Sequence, residues 1–151
     1  MEVKNYVLGD WIEGEGTEIT FQHAINGETI GSCSSKGLDY KHILRYGREK
    51  GSTALRKMTF QQRGEMLKSL ALYLHKRKDQ FYQLSTATGA TKIDSWIDIE
   101  GGIGNLFANA SLRRQFPDLP YHVDGQAAPL SKNGTFIGHH IMVPRLSLIH
   151  I

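Results

Sequence analysis

Hydrophobic and polar positions alternate at the start of the chain, follow a helical period through its middle, and alternate again towards its end. Tyr6 to Ile12 is β-branched and aromatic around Gly9-Asp10, which predicts two short strands joined by a tight turn. Ile19 and Phe21 alternate with Thr20 and Gln22, and Asn26-Gly27 is suited to the positive φ angles of a type I′ turn. A small antiparallel sheet is therefore expected first. Asp39 is placed to cap a helix over about 40–50, with Ile43, Leu44 and Tyr46 as its apolar side and Gly51 as its stop. Thr59 and Gln62 have the spacing of a capping box, in which each side chain satisfies the other's free backbone N–H.

The helix that follows carries Leu67, Leu70, Leu74, Phe81 and Leu84 at spacings of three, four and seven, and should end near Gly89. A second long helix, over about 94–115, has Ile93, Trp96, Ile97, Ile99, Ile103, Leu106 and Phe107 around most of its circumference, which predicts burial on several sides. Arg113 and Arg114 fall at its C-terminal end, where they complement the helix dipole. Gly101, Gly102 and Gly104 each cost up to about 1 kcal/mol in a helix, an expense usually offset by close approach of another backbone. Beyond Pro117 and Pro120 strands return at 121–123, 127–130 and 135–143, with Asn133-Gly134 as a hairpin turn.

Composition narrows the class. With 151 residues, 40% hydrophobic and 22% charged, the chain should fold around a core and is neither disordered nor collagen-like. No leader pattern follows Met1, no run approaches the roughly 20 apolar residues of a membrane span, and Cys33 stands alone, so a cytoplasmic location is expected. The net charge of +3 raises the question of nucleic acid, with Arg56-Lys57, Lys76-Arg77-Lys78 and Arg113-Arg114 as the contacts. These clusters are short, scattered and not interleaved with aromatics, so they read as solvated surface, with neither nucleic acid nor membrane as a partner.

The search for chemistry finds no catalytic, cofactor-binding or metal-binding residue. Gly47 to Thr53 has the look of a phosphate loop, but its second glycine comes early, Ser follows in place of Lys, and a helix precedes it. Gly101-Gly102-Ile103-Gly104 lacks the third glycine of a dinucleotide fingerprint and lies mid-helix. His122, Asp124, His139 and His140 share one region, yet neighbours on a strand face opposite ways and no metal-ligand spacing is present. Cys33, in Ser32-Cys33-Ser34-Ser35, has no local feature that would activate a thiolate.

Particular residues nevertheless resemble a known family. Met58-Thr59-Phe60 with Arg63 and Met66-Leu67-Lys68, then Leu84-Ser85 with Thr88-Gly89-Ala90-Thr91, resemble the early helices of aldehyde dehydrogenases. Asp94-Ser95-Trp96, Asp98 to Gly104, and Pro129-Leu130-Ser131-Lys132 resemble the dehydrogenase half of the bifunctional PaaZ-type proteins of phenylacetate degradation. The similarity runs from about Gly9 to Pro144. It implies an α/β fold, specifically the N-terminal fragment of the aldehyde dehydrogenase fold: small antiparallel strands, helices, then bridging strands used in oligomerisation. Family members continue past a Val-Pro like Val143-Pro144 into Gly-Val-Ala and then Asn-Phe-Pro. Here Arg145 to Ile151 departs from that pattern, so 1–144 is expected to be the N-terminal part of the dehydrogenase domain and 145–151 a non-native tail.

The mechanism implied is attack of a cysteine thiolate on an aldehyde, hydride transfer to NADP or NAD, and release of the acid by glutamate-activated water. Neither that cysteine nor that glutamate falls in this stretch, so the chain alone is expected to be inactive and to bind no coenzyme. Its implied partners are the rest of a parent chain, or homo-oligomer subunits through the bridging strands. The parent's implied substrate is a CoA-linked semialdehyde. Two other classes stand beside this one: a non-catalytic interaction module that pairs with full-length dehydrogenase subunits, and a basic nucleic-acid binder.

Overall fold

The computed structural model describes residues 2–17 and 19–143, so Pro144 and the expected tail at 145–151 lie outside it. The chain is mixed α/β, compatible with a fragment of the aldehyde dehydrogenase fold. Seven short strands flank a helical middle. They are β1 (Glu2–Val3), β2 (Asn5–Val7), β3 (Asp10–Ile12), β4 (Ile19–Gln22), β5 (Thr29–Cys33), β6 (His122–Pro129) and β7 (Ile137–Met142). The helices are α1 (Tyr40–Tyr46), α2 (Thr53–Lys57), α3 (Phe60–His75), α4 (Lys78–Ala87) and α5 (Lys92–Ser111).

β2 and β3 form the expected hairpin, one residue earlier than anticipated. The turn is Leu8-Gly9, with φ of 57° and 93°, and it pairs Val7 with Asp10 and sets Tyr6 against Trp11. The first sheet proper has the order β1-β5-β4, and β1 joins β5 in parallel, which departs from a purely antiparallel opening. Both Asn-Gly turns also differ from expectation. Only Gly27 and Gly134 take positive φ, at 73° and 64°, because these loops are longer than two residues and use the glycine as a left-handed exit. Asn26 instead accepts from the backbone N–H of Glu28 through its side chain.

Ser34 ties the N-terminal strands together. Its carbonyl accepts from the Asn5 amide at 2.8 Å, and its buried hydroxyl donates to the Glu15 carbonyl at 2.9 Å and accepts from the Lys36 N–H. A Cβ on Gly14 would lie 2.1 Å from the Ser34 carbonyl oxygen, so the chain crosses here only with glycine.

Asp39 caps α1 as expected, accepting from the His42 N–H at 2.9 Å. Gly51 does not stop it. The backbone continues as a π-helical segment, Gly47–Ser52, directly into α2, and the break comes at Met58, whose extended ψ ends the run. That continuity also removes the phosphate-loop reading of 47–53.

The long helix expected from Thr59 to Gly89 is two helices. α3 opens on the Thr59/Gln62 capping box and ends at Lys76; Arg77, with φ −113° and ψ 7°, leaves helical geometry before α4 begins. No Pro or Gly causes the break. The Arg77 N–H tightens onto the Leu74 carbonyl while its guanidinium lies over the Tyr73 ring at 3.6 Å, so the turn is closed by local bonds. Leu67, Leu74 and Phe81 are half-buried, whereas Leu70 and Leu84 stay exposed.

α5 starts earlier than anticipated. Thr91 and Asp94 form a second capping box, and a 3₁₀ turn at Leu112–Gln115 extends the helix end to the expected place. α3 packs along α5 at close range because Gly64 and Ala71 are small. A Cβ on Gly64 would meet Arg113 Cδ at 2.5 Å and the Ala110 carbonyl oxygen at 2.9 Å. Phe60 stacks on Phe116 with ring centroids 4.5 Å apart, and His122 meets Phe116 edge-on. β6 and β7 then form an antiparallel ribbon with an irregularity between Asp124 and Ala128.

Burial departs most from expectation. Among the described residues only Ala71, Ile103 and Ala110 are buried hydrophobics, and no large side chain is fully enclosed. The chain exposes 11528 Å², where a compact monomer of 17.0 kDa would expose roughly 7,700 Å². The composition of a core is present, but the core is not assembled within this stretch.

Candidate functional site

The largest polar grouping lies where α4 crosses α5. Glu100 accepts from Lys78 Nζ at 2.6 Å and from the Tyr82 hydroxyl at 3.3 Å through one oxygen, while its other oxygen lies 3.9 Å from His75 Nδ1. The hydrogen bond from Lys78 holds the Glu100 carboxyl below its ordinary range, and the same bond raises the Lys78 ammonium. Desolvation, followed by the charge of Glu100, pushes the Tyr82 phenol upward. A neighbouring cleft of about 650 Å³ is lined by Lys78, Tyr82, Lys92, Ser95 and Glu100.

This group pins helices; it does not compose a reaction centre. Lys78 and Glu100 neutralise each other, and the Ser95 hydroxyl is engaged with Ser85 at 2.8 Å. No nucleophile–base pair faces the cleft. Sequence reading passed over this cluster. His75, Lys78 and Tyr82 fall at spacings of three and four, but their shared partner is 18 or more residues away and invisible to local periodicity.

The candidates weighed from sequence are dispersed. Cys33 ends β5 beside Val3 and Ile19. His140 reaches Asp124 across the ribbon at 3.9 Å, His122 is taken up by Phe116, and His139 alternates to the opposite face from His140. Among the described residues no group of three or more His, Cys, Asp or Glu is placed to hold a metal ion. The basic clusters serve the fold: Arg113 pairs with Glu65 at 2.7 Å, Lys78 with Glu100, and Arg77 stacks on Tyr73. No helix among the described residues is long and apolar enough to cross a membrane.

What the surface offers instead is apolar area. α5 buries only the face of Ser95, Ile103 and Ala110, leaving Ile93 at 70%, Trp96 at 58% and Ile97 at 55% exposure, which corrects the expectation of burial on several sides. No other backbone approaches Gly101, Gly102 or Gly104 among the described residues. On the ribbon, the paired Val123 and Ile141, and Pro129 and Ile137, make one apolar face that is open to solvent.

No family model matches the chain. Over 145 residues it is similar to a 3,4-dehydroadipyl-CoA semialdehyde dehydrogenase of Aromatoleum evansii, at 29% identity. The match covers 95% of this chain. It spans 28% of that curated relative, just over a quarter of its length. It supports a relationship to aldehyde dehydrogenases, and so a resemblance to an oxidoreductase.

Proposed function

We propose that this chain is the N-terminal part of an NAD(P)-dependent aldehyde dehydrogenase of the PaaZ type, which oxidises a CoA-linked semialdehyde in cytoplasmic phenylacetate degradation. The similarity over nearly the whole chain to a CoA-semialdehyde dehydrogenase is the observation that carries the reading. The open apolar surface supports it, because a stretch that normally packs against a larger body exposes its contact faces when alone. By itself the chain is inactive and holds no coenzyme. The parent supplies the cysteine nucleophile, the glutamate and the NADP or NAD site, and its subunits pair through β6 and β7.

The test is to sequence the source DNA across the codons after Pro144 in an independent clone, and to assay the purified chain with NAD+ and NADP+ and a CoA-linked semialdehyde. A frame that continues through Asn-Phe-Pro to a nucleophilic cysteine, with no turnover by the 151-residue chain, is expected. Coenzyme reduction by the chain alone would refute the inactive reading.

The exposed apolar face of the ribbon favours one further reading, a non-catalytic module that docks on complete dehydrogenase subunits. Co-purification with a co-expressed full-length subunit supports it, and failure to co-purify removes it.

A further inference from the structure

The outward face of α5 has a shape as well as a polarity. Ile93, Ile97, Gly101, Gly104 and Ala108 follow one another at steps of four, four, three and four, on the side opposite the buried Ser95, Ile103 and Ala110. All five are exposed, and a Cβ on either glycine would meet nothing within 4 Å. The stripe runs about 22 Å, with two isoleucines as ridges at one end and a groove floored by glycine and alanine at the other.

Glycine inside a helix is unfavourable relative to alanine unless its missing side chain admits another backbone. Here nothing in the described chain uses that space. We propose that this stripe is the seat of a helix from the longer parent protein, packed at or below the usual interaxial distance of about 8 Å and carrying small or flat apolar side chains along its seam. A basic residue at its edge would meet the exposed Asp98, which flanks the stripe.

The inference rests on the reading of this chain as part of a longer dehydrogenase. Two observations select the parent's own chain over a second copy. The similar dehydrogenase has more than three times this length, so ample chain is available to cover the face. The surface in excess of a compact monomer is several thousand Å², far beyond the roughly 800 Å² per partner that a standard dimer interface covers.

Two substitution sets in the complete parent test it. Gly104→Leu, and separately Gly101→Leu, should lower the Tm by about 5 °C or more by overfilling the seam, while Gly102→Leu, off the stripe on the same helix, leaves it unchanged or higher. Should the leucine variants fail to fold, Ala108→Cys gives an independent reading. Its thiol should react with a maleimide at least about ten-fold more slowly in the parent than in the 151-residue chain, independent of protein concentration. Equal labelling, equal Tm for all three leucine variants, or protection that appears only at high concentration would overturn the inference while leaving the dehydrogenase reading intact. If sequencing finds no longer frame, the reading fails first and the inference with it.

Discussion

The helical middle of the chain and the β6–β7 ribbon have similar apolar content but very different means of support. Around α3 and α5, ends are capped by Thr59/Gln62 and Thr91/Asp94, Gln61 donates to the carbonyls of Arg113 and Phe116, and Gly64 and Ala71 let two helices approach. The ribbon has its ladder bonds and a Ser131–Thr135 turn, and almost every residue of both strands is exposed. Local chemistry is complete in both regions. Burial is complete in neither, and the ribbon has almost none, as expected for a two-stranded element that needs a covering layer.

The contrast breaks most directly at Gly64. Gly64→Val would set two methyl groups against Arg113 and the Ala110 carbonyl, where even a Cβ comes within 3 Å. About 3 kcal/mol of helix stability should be lost, with Gly64→Ala costing less, seen as a fall in the urea midpoint of the far-UV circular dichroism signal. An unchanged midpoint would mean that α3 and α5 are not in close contact.

The caps come next. Thr59→Ala and Thr91→Ala each remove a side-chain acceptor for a backbone N–H and half of a capping box, and each should cost about 1 kcal/mol by the same measurement. Replacement of Ser131 by Ala in the ribbon turn should leave the helix signal unchanged, because no packed layer links the two regions.

The parts legible in the sequence were those closed by neighbours in sequence. Asp39, the Thr59/Gln62 box and the stop at Gly89, with φ of 83°, depend on residues three or four apart, and periodicity finds them. The break at Arg77 escaped notice because Leu74 and Phe81 keep helical phase across it, and the stacking of Arg77 on Tyr73 leaves no mark in hydrophobic pattern. The overestimated burial of α5 has another cause. Apolar residues around a helix report every surface it covers in its full setting, whereas this stretch supplies only the partner at Ser95, Ile103 and Ala110. The same fact explains why no candidate site assembled. Family resemblance placed the chemistry outside these residues, and the one polar cluster present, on Glu100, links helices across a separation that spacing rules do not reach.

That cluster gives a smaller effect with a defined sign. Glu100 is depressed in the folded state, so its contribution is present above the ordinary carboxylate range and lost as pH falls through the lowered value. Lys78 is raised, so its contribution is present below the ordinary lysine value and lost as pH climbs through the raised one. The pairing of α4 with α5 should therefore hold between those limits and weaken outside both. Glu100→Gln should flatten both limbs of a helix-stability profile against pH, and salt should weaken the effect in the wild type. A profile unaltered by Glu100→Gln would leave the ion pair with no part in holding the helices.

The smallest change is expected where the apolar surface is most open. Ile137 and Ile141 lie on one face of β7, exposed by 60% and 58%, opposite Pro129 and Val123 on β6. In the isolated chain, Ile137→Ser with Ile141→Ser removes no buried area, so the urea midpoint should move by no more than about 0.5 kcal/mol. Binding of a hydrophobic dye should drop, because the accessible apolar patch shrinks. If subunits of a complete dehydrogenase pair through this face, the same substitutions should shift its oligomers towards smaller species in sedimentation, because a side chain that is inconsequential in one setting becomes part of a core in the other. A large loss of helix stability in the isolated chain would show instead that the ribbon is already covered, and that the division between a supported helical layer and an unsupported ribbon is wrong.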